Sequence, residues 1–187
     1  LAVETVSSDG RLRRICARAV VLGSGGFEGN PEMLTRYIGP EARYLRPVAR
    51  GGYYNKGEGI RMALDAGGAP AGDFGSYHAE PMDPRSAQVE PLVMSFSYGL
   101  LVNKNGRRFV DEAPGPVDMH YDHISRAIKD QPDGIAYMVY DQRIHDVPNW
   151  MKGIRTDQPA IEANSLAELA KACGVDEAGL LATVNAF

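Results

Sequence analysis

The stretch Arg18-Ala19-Val20-Val21-Leu22-Gly23-Ser24-Gly25-Gly26-Phe27-Glu28-Gly29-Asn30 constrains this chain more than any other. Val20, Val21 and Leu22 form an unbroken apolar run of the kind that fills a buried strand. Gly23, Gly25 and Gly26 then allow a tight turn and a close approach of backbone to another object. Asn30-Pro31 supplies an N-cap and a first-turn proline, which predicts a helix over about 32–38. Strand, glycine turn and helix N-terminus are the parts from which α/β proteins assemble nucleotide sites. No G-x-G-x-x-G lies near the N-terminus, so the phosphate-binding half of such a site is missing from the pattern. The bland alternative is a tight strand-to-loop turn.

Composition narrows the class. With 20 Lys and Arg against 24 Asp and Glu, the net charge is -4, which argues against nucleic acid or an anionic membrane as main partner. No apolar run approaches the roughly 18 residues of a membrane span. Cys16 and Cys173 lie far apart and share no metal spacing with the histidines, which fits a reduced, cytoplasmic setting with two free thiols. The 187 residues suffice for one sizeable domain or two small ones. The chain has no initiator Met, begins inside an alternating run and stops inside a helical pattern, so it reads as an internal fragment.

Residues 1–6 and about 11–22 read as a hairpin around Ser8-Asp9-Gly10. Residues 39–56 have no period and read as loop. Gly57-Glu58-Gly59 leads into a helix over about 60–66, stopped by Gly67-Gly68. A boundary is expected near Gly72. Beyond it, residues 99–103 and 107–110 flank Asn105-Gly106, a strong hairpin signal. A helix over about 119–129 and a buried strand over 135–140 follow. Ser165-Leu166-Ala167-Glu168 is a capping box for a helix that Gly174 ends, and Asp176 caps the last helix.

Several groups can carry chemistry. Glu58, between glycines at a helix start, can accept hydrogen bonds from ribose hydroxyls, although such glycines are also common turn chemistry. His78 and Glu80 sit two apart in a proline-flanked loop without a third ligand, which excludes a metal site there. His120 and His123 share a helix face beside Tyr121. Both clusters are also compatible with solvated surface. The basic and aromatic loop from Arg46 to Tyr54 can bind an anion, or pack around Tyr53 and Tyr54. Ser-His-Asp elbow, P-loop and zinc motifs are absent.

Taken in order, the motifs resemble the flavoprotein family of succinate dehydrogenase and fumarate reductase. They are more similar still to its soluble FAD-dependent relatives of the tricarballylate-dehydrogenase type. The carriers are Ala19-Val20-Val21-Leu22-Gly23-Ser24-Gly25-Gly26-Phe27, Asn55-Lys56-Gly57-Glu58-Gly59, Ala66-Gly67-Gly68-Ala69 and Tyr77-His78-Ala79-Glu80-Pro81. Further along come Leu100-Leu101-Val102-Asn103-Lys104-Asn105-Gly106-Arg107-Arg108-Phe109-Val110-Asp111-Glu112 and Ala136-Tyr137-Met138-Val139-Tyr140-Asp141.

The resemblance implies an α+β chain: residues 1–72 as the late part of an FAD-binding α/β domain, and 73–187 as a fumarate-reductase-type capping domain, truncated at its C-terminus. It places Ser24, Gly25, Gly26 and Glu58 against FAD. It implies a small carboxylate substrate, a hydride passing between flavin and one carbon, and a proton exchanged at the adjacent carbon. Glu80 stands where the reductases hold a substrate carboxylate with a histidine, and a charged Glu80 would repel that group. The Thr-Glu-x-x-Arg run of the reductases has no match in Pro91-Leu92-Val93-Met94-Ser95-Phe96. Counting back from Ala136-Tyr137 puts Tyr121 where the family has its proton-transferring arginine, with a small insertion around Pro114-Gly115-Pro116. The catalytic set expected on this basis is Tyr121, assisted by His120 or His123, with His78 and Glu80. The implied activity is that of an FAD-dependent dehydrogenase or reductase with a separate electron-acceptor protein, the 187-residue piece alone being inactive. Two alternatives remain open: a ketosteroid-dehydrogenase-like enzyme of the same superfamily, and a non-catalytic α/β binding domain.

Overall fold

The computed structural model describes residues 1–187. It opens with an antiparallel hairpin, β1 (Ala2–Val6) and β2 (Leu12–Cys16), in the register Ala2↔Cys16 and Val6↔Leu12. Gly10 turns the chain at φ +79, a conformation open to glycine and costly for most other residues. Helix α1 (Pro31–Ile38) begins as expected: the Asn30 side chain accepts from the N–H groups of Glu32 and Met33, and proline occupies the first turn. Helix α2 (Glu58–Asp65) starts two residues ahead of the expected 60 and follows Gly57 in the left-handed region. The aperiodic stretch between them contains two 3-10 turns, Pro40–Tyr44 and Arg50–Tyr54.

The expected buried strand at Val20–Leu22 does not form. Strand β2 ends at Cys16, and Val20, Val21 and Leu22 are 37%, 91% and 47% exposed. A strand is stabilised by a neighbouring edge, and the apolar run has none: the hairpin pairs only with itself.

The densest packing lies in the second half. Strand β3 (Leu100–Val102) pairs antiparallel with β4 (Tyr137–Val139), Leu101 opposite Met138. Side chains alternate along β3. Leu100 and Val102 pack with Ala170, Val175 and Leu180 from α4 (Leu166–Cys173), α5 (Glu177–Ala186) and their connection. Leu101 faces the other way, against Phe96 and Ile124 of α3 (Val117–Lys129). The small sheet is thus sandwiched between α3 and the α4–α5 pair. The helices are mixed with strands as an α+β chain requires, and none is long and apolar enough to cross a membrane.

The hairpin expected about Asn105-Gly106 forms only at its turn. Asn103 N–H donates to Arg107 O at 3.0 Å, and Val102 bridges Arg108, but residues 107–110 are not a strand. A side chain has replaced the second arm. Glu112 Oε1 accepts from Leu101 N–H at 2.8 Å, where a partner strand would present a carbonyl. Arg108 grips the same carboxylate, Nε to Oε2 at 2.9 Å and Nη2 to Oε2 at 2.6 Å. Glu112 is only 4% exposed.

A second buried carboxylate organises the loop before β3. Asp83 accepts from Arg85 through Nη2 at 2.7 Å and Nε at 3.0 Å, and from Thr156 Oγ1 at 2.9 Å. Burial pushes its pKa up, but the hydrogen bonds from Arg85 and Thr156 outweigh burial and hold it below the usual carboxylate range.

Two outcomes follow from these carboxylates. Glu112→Ala leaves Leu101 N–H and Arg108 without their partner and lowers stability by about 2 kcal/mol, read from the urea midpoint. Asp83, with a depressed folded-state pKa, contributes stability that is complete above its unfolded value of about 3.9 and is lost as pH falls through the lower folded value. Asp83→Asn therefore flattens the acid limb of the stability–pH curve below roughly pH 4. An unchanged limb would show that Asp83 carries no linked stability.

Candidate functional site

Two groups of expected site residues each come together. In the first, the glycine turn lies along the start of α2. Gly57 N–H donates to Gly26 O at 3.1 Å, and Gly29 N–H donates to Asn55 O at 2.9 Å. Asn55 also donates to the Glu28 carboxylate, and Lys56 Nζ to Gly29 O. Gly25 needs its φ of +78 for this path. Ser24 lies so close over Gly59 that a Cβ there would overlap its hydroxyl. Glu58 Oε2 accepts from Lys56 N–H at 3.1 Å, while Oε1 has no protein partner.

These residues suit a bound FAD. The backbone N–H groups of Ser24, Gly25 and Gly26 donate to no protein acceptor, and Ser24 and Gly25 are exposed. Three successive free donors, with an unbonded carboxylate oxygen on Glu58, match the acceptor and hydroxyl groups of a dinucleotide. Ser24, Gly25, Gly26 and Glu58, the residues expected against the cofactor, thus lie together with free donors and one free carboxylate oxygen.

In the second group, His78 and Tyr121 meet across 43 residues of sequence: His78 Nε2 lies 2.8 Å from the Tyr121 hydroxyl. Their rings stand edge to face, centroids 5.2 Å apart. Tyr121 is set by α3, one side of its ring packed on the Phe96–Leu101–Ile124 cluster. Asp122, next on the helix, takes hold of the loop that carries His78. Its Oδ1 accepts from Ala79 N–H at 2.7 Å and stands 3.7 Å from His78 Nδ1. A carboxylate beside Nδ1 favours the proton there, which leaves Nε2 to accept from the Tyr121 hydroxyl. Arg126, one turn further, donates from Nε to Asp122 Oδ2 at 2.9 Å and from its guanidinium to Tyr77 O. It also stacks over the Tyr77 ring at 4.6 Å. Burial pushes the Tyr77 hydroxyl pKa up, against the pull of Lys129 and Arg126, so this unpartnered phenol stays neutral.

The remaining expected residues stand apart from the pair. His120 lies against Gly115, where an added Cβ would come within 2.7 Å of its Nε2, and it forms no hydrogen bond to Tyr121. His123 is exposed and makes no hydrogen bond either, because position 123 points away from the face that carries residues 121 and 124. The partner of Tyr121 is thus His78, not a histidine of its own helix. Glu80 is half-buried without ion pair or hydrogen bond. Asp122 and Arg126 escaped the sequence reading. Their signal was the i,i+4 acid–base spacing on a helix.

An aromatic trio packs directly after the glycine turn. Phe27, directly after the glycine turn, lies 5.5 Å from Tyr37 and 6.4 Å from Phe74 between ring centroids, and Tyr37 lies 5.0 Å from Phe74. A surface depression of about 540 Å³ beside Leu1, Arg14 and Arg18 is an open groove along the hairpin and touches neither group.

Comparison with known proteins shows the family of the chain. Residues 2–187 match the family described as FAD binding domain. The chain belongs to that family, the superfamily of succinate dehydrogenase and fumarate reductase flavoproteins, whose cofactor is FAD. It is 27% identical over 176 residues to a probable fumarate reductase, Ifc3, of Shewanella frigidimarina, covering 92% of this chain and 28% of that protein. It is 36% identical over 104 residues to a vinyl phenol reductase of Lactiplantibacillus plantarum, covering 51% of this chain and 20% of that one. In fold it is similar to 3-ketosteroid delta1-dehydrogenase of Sterolibacterium denitrificans, with a TM-score of 0.64 and 22% identity, over 98% of this chain and 37% of that one. The chain spans less than a third of the length of the first of these curated relatives.

In the intact protein, Glu58→Ala removes a carboxylate oxygen from the FAD side and lowers flavin retention about tenfold, read as visible absorbance after dialysis. Undiminished retention would place Glu58 outside the cofactor contact.

Proposed function

We propose that the protein containing this chain is an FAD-dependent oxidoreductase that adds or removes hydrogen across a carbon–carbon bond of a small carboxylic acid. In this reading residues 1–72 belong to the FAD-binding domain and residues 73–187 to the capping side, where the substrate lies. The single observation that carries it is the hydrogen bond between His78 and Tyr121, a proton-transfer pair built where the family resemblance calls for one. Fumarate and vinyl phenol, named for the two relatives, share an activated carbon–carbon double bond. The carboxylic acid part of the reading rests on the fumarate relative.

FAD, when bound, supplies the hydride chemistry. The chain supplies the proton. Tyr121 delivers it to the carbon adjacent to the hydride carbon in reduction, or takes it from that carbon in dehydrogenation. His78 Nε2 exchanges the phenolic proton with Tyr121, and Asp122 steadies the protonated Nδ1. The His78 side chain is 67% exposed, so it can pass the proton on to water. The packed ring of Tyr121 and the pinned loop at Ala79 keep the donor and its relay in one place, which is what proton transfer over hydrogen-bond distance demands.

Tyr121→Phe in the FAD-loaded intact protein lowers kcat by about 10²–10⁴-fold, with flavin content unchanged. His78→Gln gives a smaller loss, because water can replace the relay. Wild-type turnover in Tyr121→Phe removes this residue from the chemistry, and an intact protein purified without flavin absorbance overturns the reading altogether.

A further inference from the structure

Of the acids on the loop from Tyr77 to Pro91, one has no partner. Asp83 gives its carboxylate to Arg85 at 2.7 Å, and Glu90 gives its own to Arg155 at 3.0 Å. Glu80 is half-buried, yet its carboxylate forms neither an ion pair nor a hydrogen bond. Its oxygens are not sealed inside the protein, because the Tyr77 hydroxyl is the one buried side-chain polar atom left unpartnered. A carboxylate drawn partly out of water is costly unless something donates to it.

The cations of the loop and of the elements bonded to it point elsewhere. On α3, Arg126 is taken by Asp122 and Tyr77 O, and Lys129 by Asp130. Arg46 donates from Nη2 to Asp83 O at 3.1 Å and from Nη1 to Ser86 O at 3.4 Å. Arg85 and Arg155 are engaged with the two other acids.

Glu80 is also held in place. Both neighbours are pinned: Ala79 N–H donates to Asp122 Oδ1 at 2.7 Å, and Pro81 O accepts from Val93 N–H at 3.0 Å. Two residues of chain put its Cα at most roughly 7 Å from that of His78. His78 in turn meets the Tyr121 hydroxyl at 2.8 Å. The far end of a small acid reacting at Tyr121 falls within that span. A carboxylate accepts hydrogen bonds, offers none and repels a second carboxylate. The group that suits this position is a donor.

We infer that Glu80 is a specificity-determining residue: it accepts a hydrogen bond from an O–H or N–H at the end of the substrate remote from its carboxylate, and so turns dicarboxylates away. The inference rests on the carboxylic acid reading given above and narrows it to monocarboxylic acids with a donor at the far end. Glu80 takes no part in the proton transfer, whose groups are Tyr121 and His78.

The test uses trans-2-enoic acids of the same chain length that differ only at the fourth carbon. Crotonate carries a methyl there, fumarate a carboxylate, 4-hydroxycrotonate a hydroxyl and 4-aminocrotonate an ammonium group. kcat/KM is measured for each with the intact flavoprotein and a reduced viologen, in the wild type and in Glu80→Gln. Each value is taken relative to crotonate in the same protein, so that a general loss in the variant cancels. Glu80→Gln is expected to lower the relative value of one or both donor acids about tenfold, the cost of a lost charge-assisted hydrogen bond, and to raise that of fumarate. A loss confined to one of them identifies the donor as hydroxyl or ammonium. If neither donor acid loses ground, the assignment of Glu80 falls and the carboxylic acid reading stands. Crotonate reduced faster than both donor acids by the wild type overturns the assignment without any variant. A fumarate value that does not rise overturns the exclusion of dicarboxylates. A wild type that reduces none of these acids overturns the assignment and the substrate reading together.

Discussion

Glu112 holds a carboxylate oxygen 2.8 Å from the N–H of Leu101, and much of the second half of the chain is arranged around that contact. Leu101 is the central residue of a three-residue strand and is buried on both neighbours' sides. An edge N–H at such a depth must be met, since an unpaired one costs about 1–3 kcal/mol. A second hairpin arm would have met it, but would also have continued the sheet outward. The side chain does the same work in one residue and lets the backbone leave. The chain is thereby free to pass through Pro114-Gly115-Pro116 and enter α3, whose inner face returns to cover Leu101 through Ile124. Arg108 neutralises the carboxylate with a two-pronged grip, so the charge can stay at that depth.

Helix α3 then repeats the device on its outer side. Asp122 accepts from Ala79 N–H and from Arg126, and Arg126 reaches on to Tyr77 O. An aperiodic loop is in this way fixed at consecutive points to a rigid helix. His78, between those points, has little choice of position, and Tyr121 is one residue from the carboxylate that does the fixing. Exposed ion pairs add little stability. Here the pair instead sets geometry, and its second role is to present a carboxylate to the Nδ1 side of His78 while the Nε2 side meets the phenol.

Features governed by neighbours in sequence were legible. The Asn30 cap, the Ser165 cap and the left-handed Gly174 all stand where short-range signals placed them, because each depends on contacts within four residues. Strand β4 and helix α3 were legible from apolar spacing to within two residues at each end. Val20–Leu22 was misread for the converse reason. Its apolar character describes a residue that would accept burial, but burial of a strand is supplied by a sheet edge elsewhere, and only β1 pairs with β2. Residues 107–110 were misread because hairpin propensity is blind to the Glu112 carboxylate, which takes the N–H of Leu101. In the site, His78 and Tyr121 were each visible as members of loose clusters. Their contact was not, since nothing within either cluster encodes a partner 43 residues away. The helical spacing of Asp122 and Arg126 was the missing clue, as it identifies the carboxylate that reaches for the loop.

The glycine turn takes its shape from α2 and from an aromatic contact, not from a strand. Gly26 O is anchored by Gly57 N–H, Ser24 rests on Gly59, and Phe27 is wedged against Tyr37 and Phe74. Phe74 precedes His78 by four residues, and Gly75 approaches Tyr37 O so closely that an added Cβ would stand 2.9 Å away. Phe27, directly after Gly26, thus packs on Phe74, which lies four residues before His78 in the same loop. Packed aromatic rings resist small displacements because interiors have little free volume. In the proposed reading, hydride and proton transfer to adjacent carbons require two donors in a common frame, and the contacts of Phe27 and Tyr37 with Phe74 tie the glycine turn to the loop that carries His78.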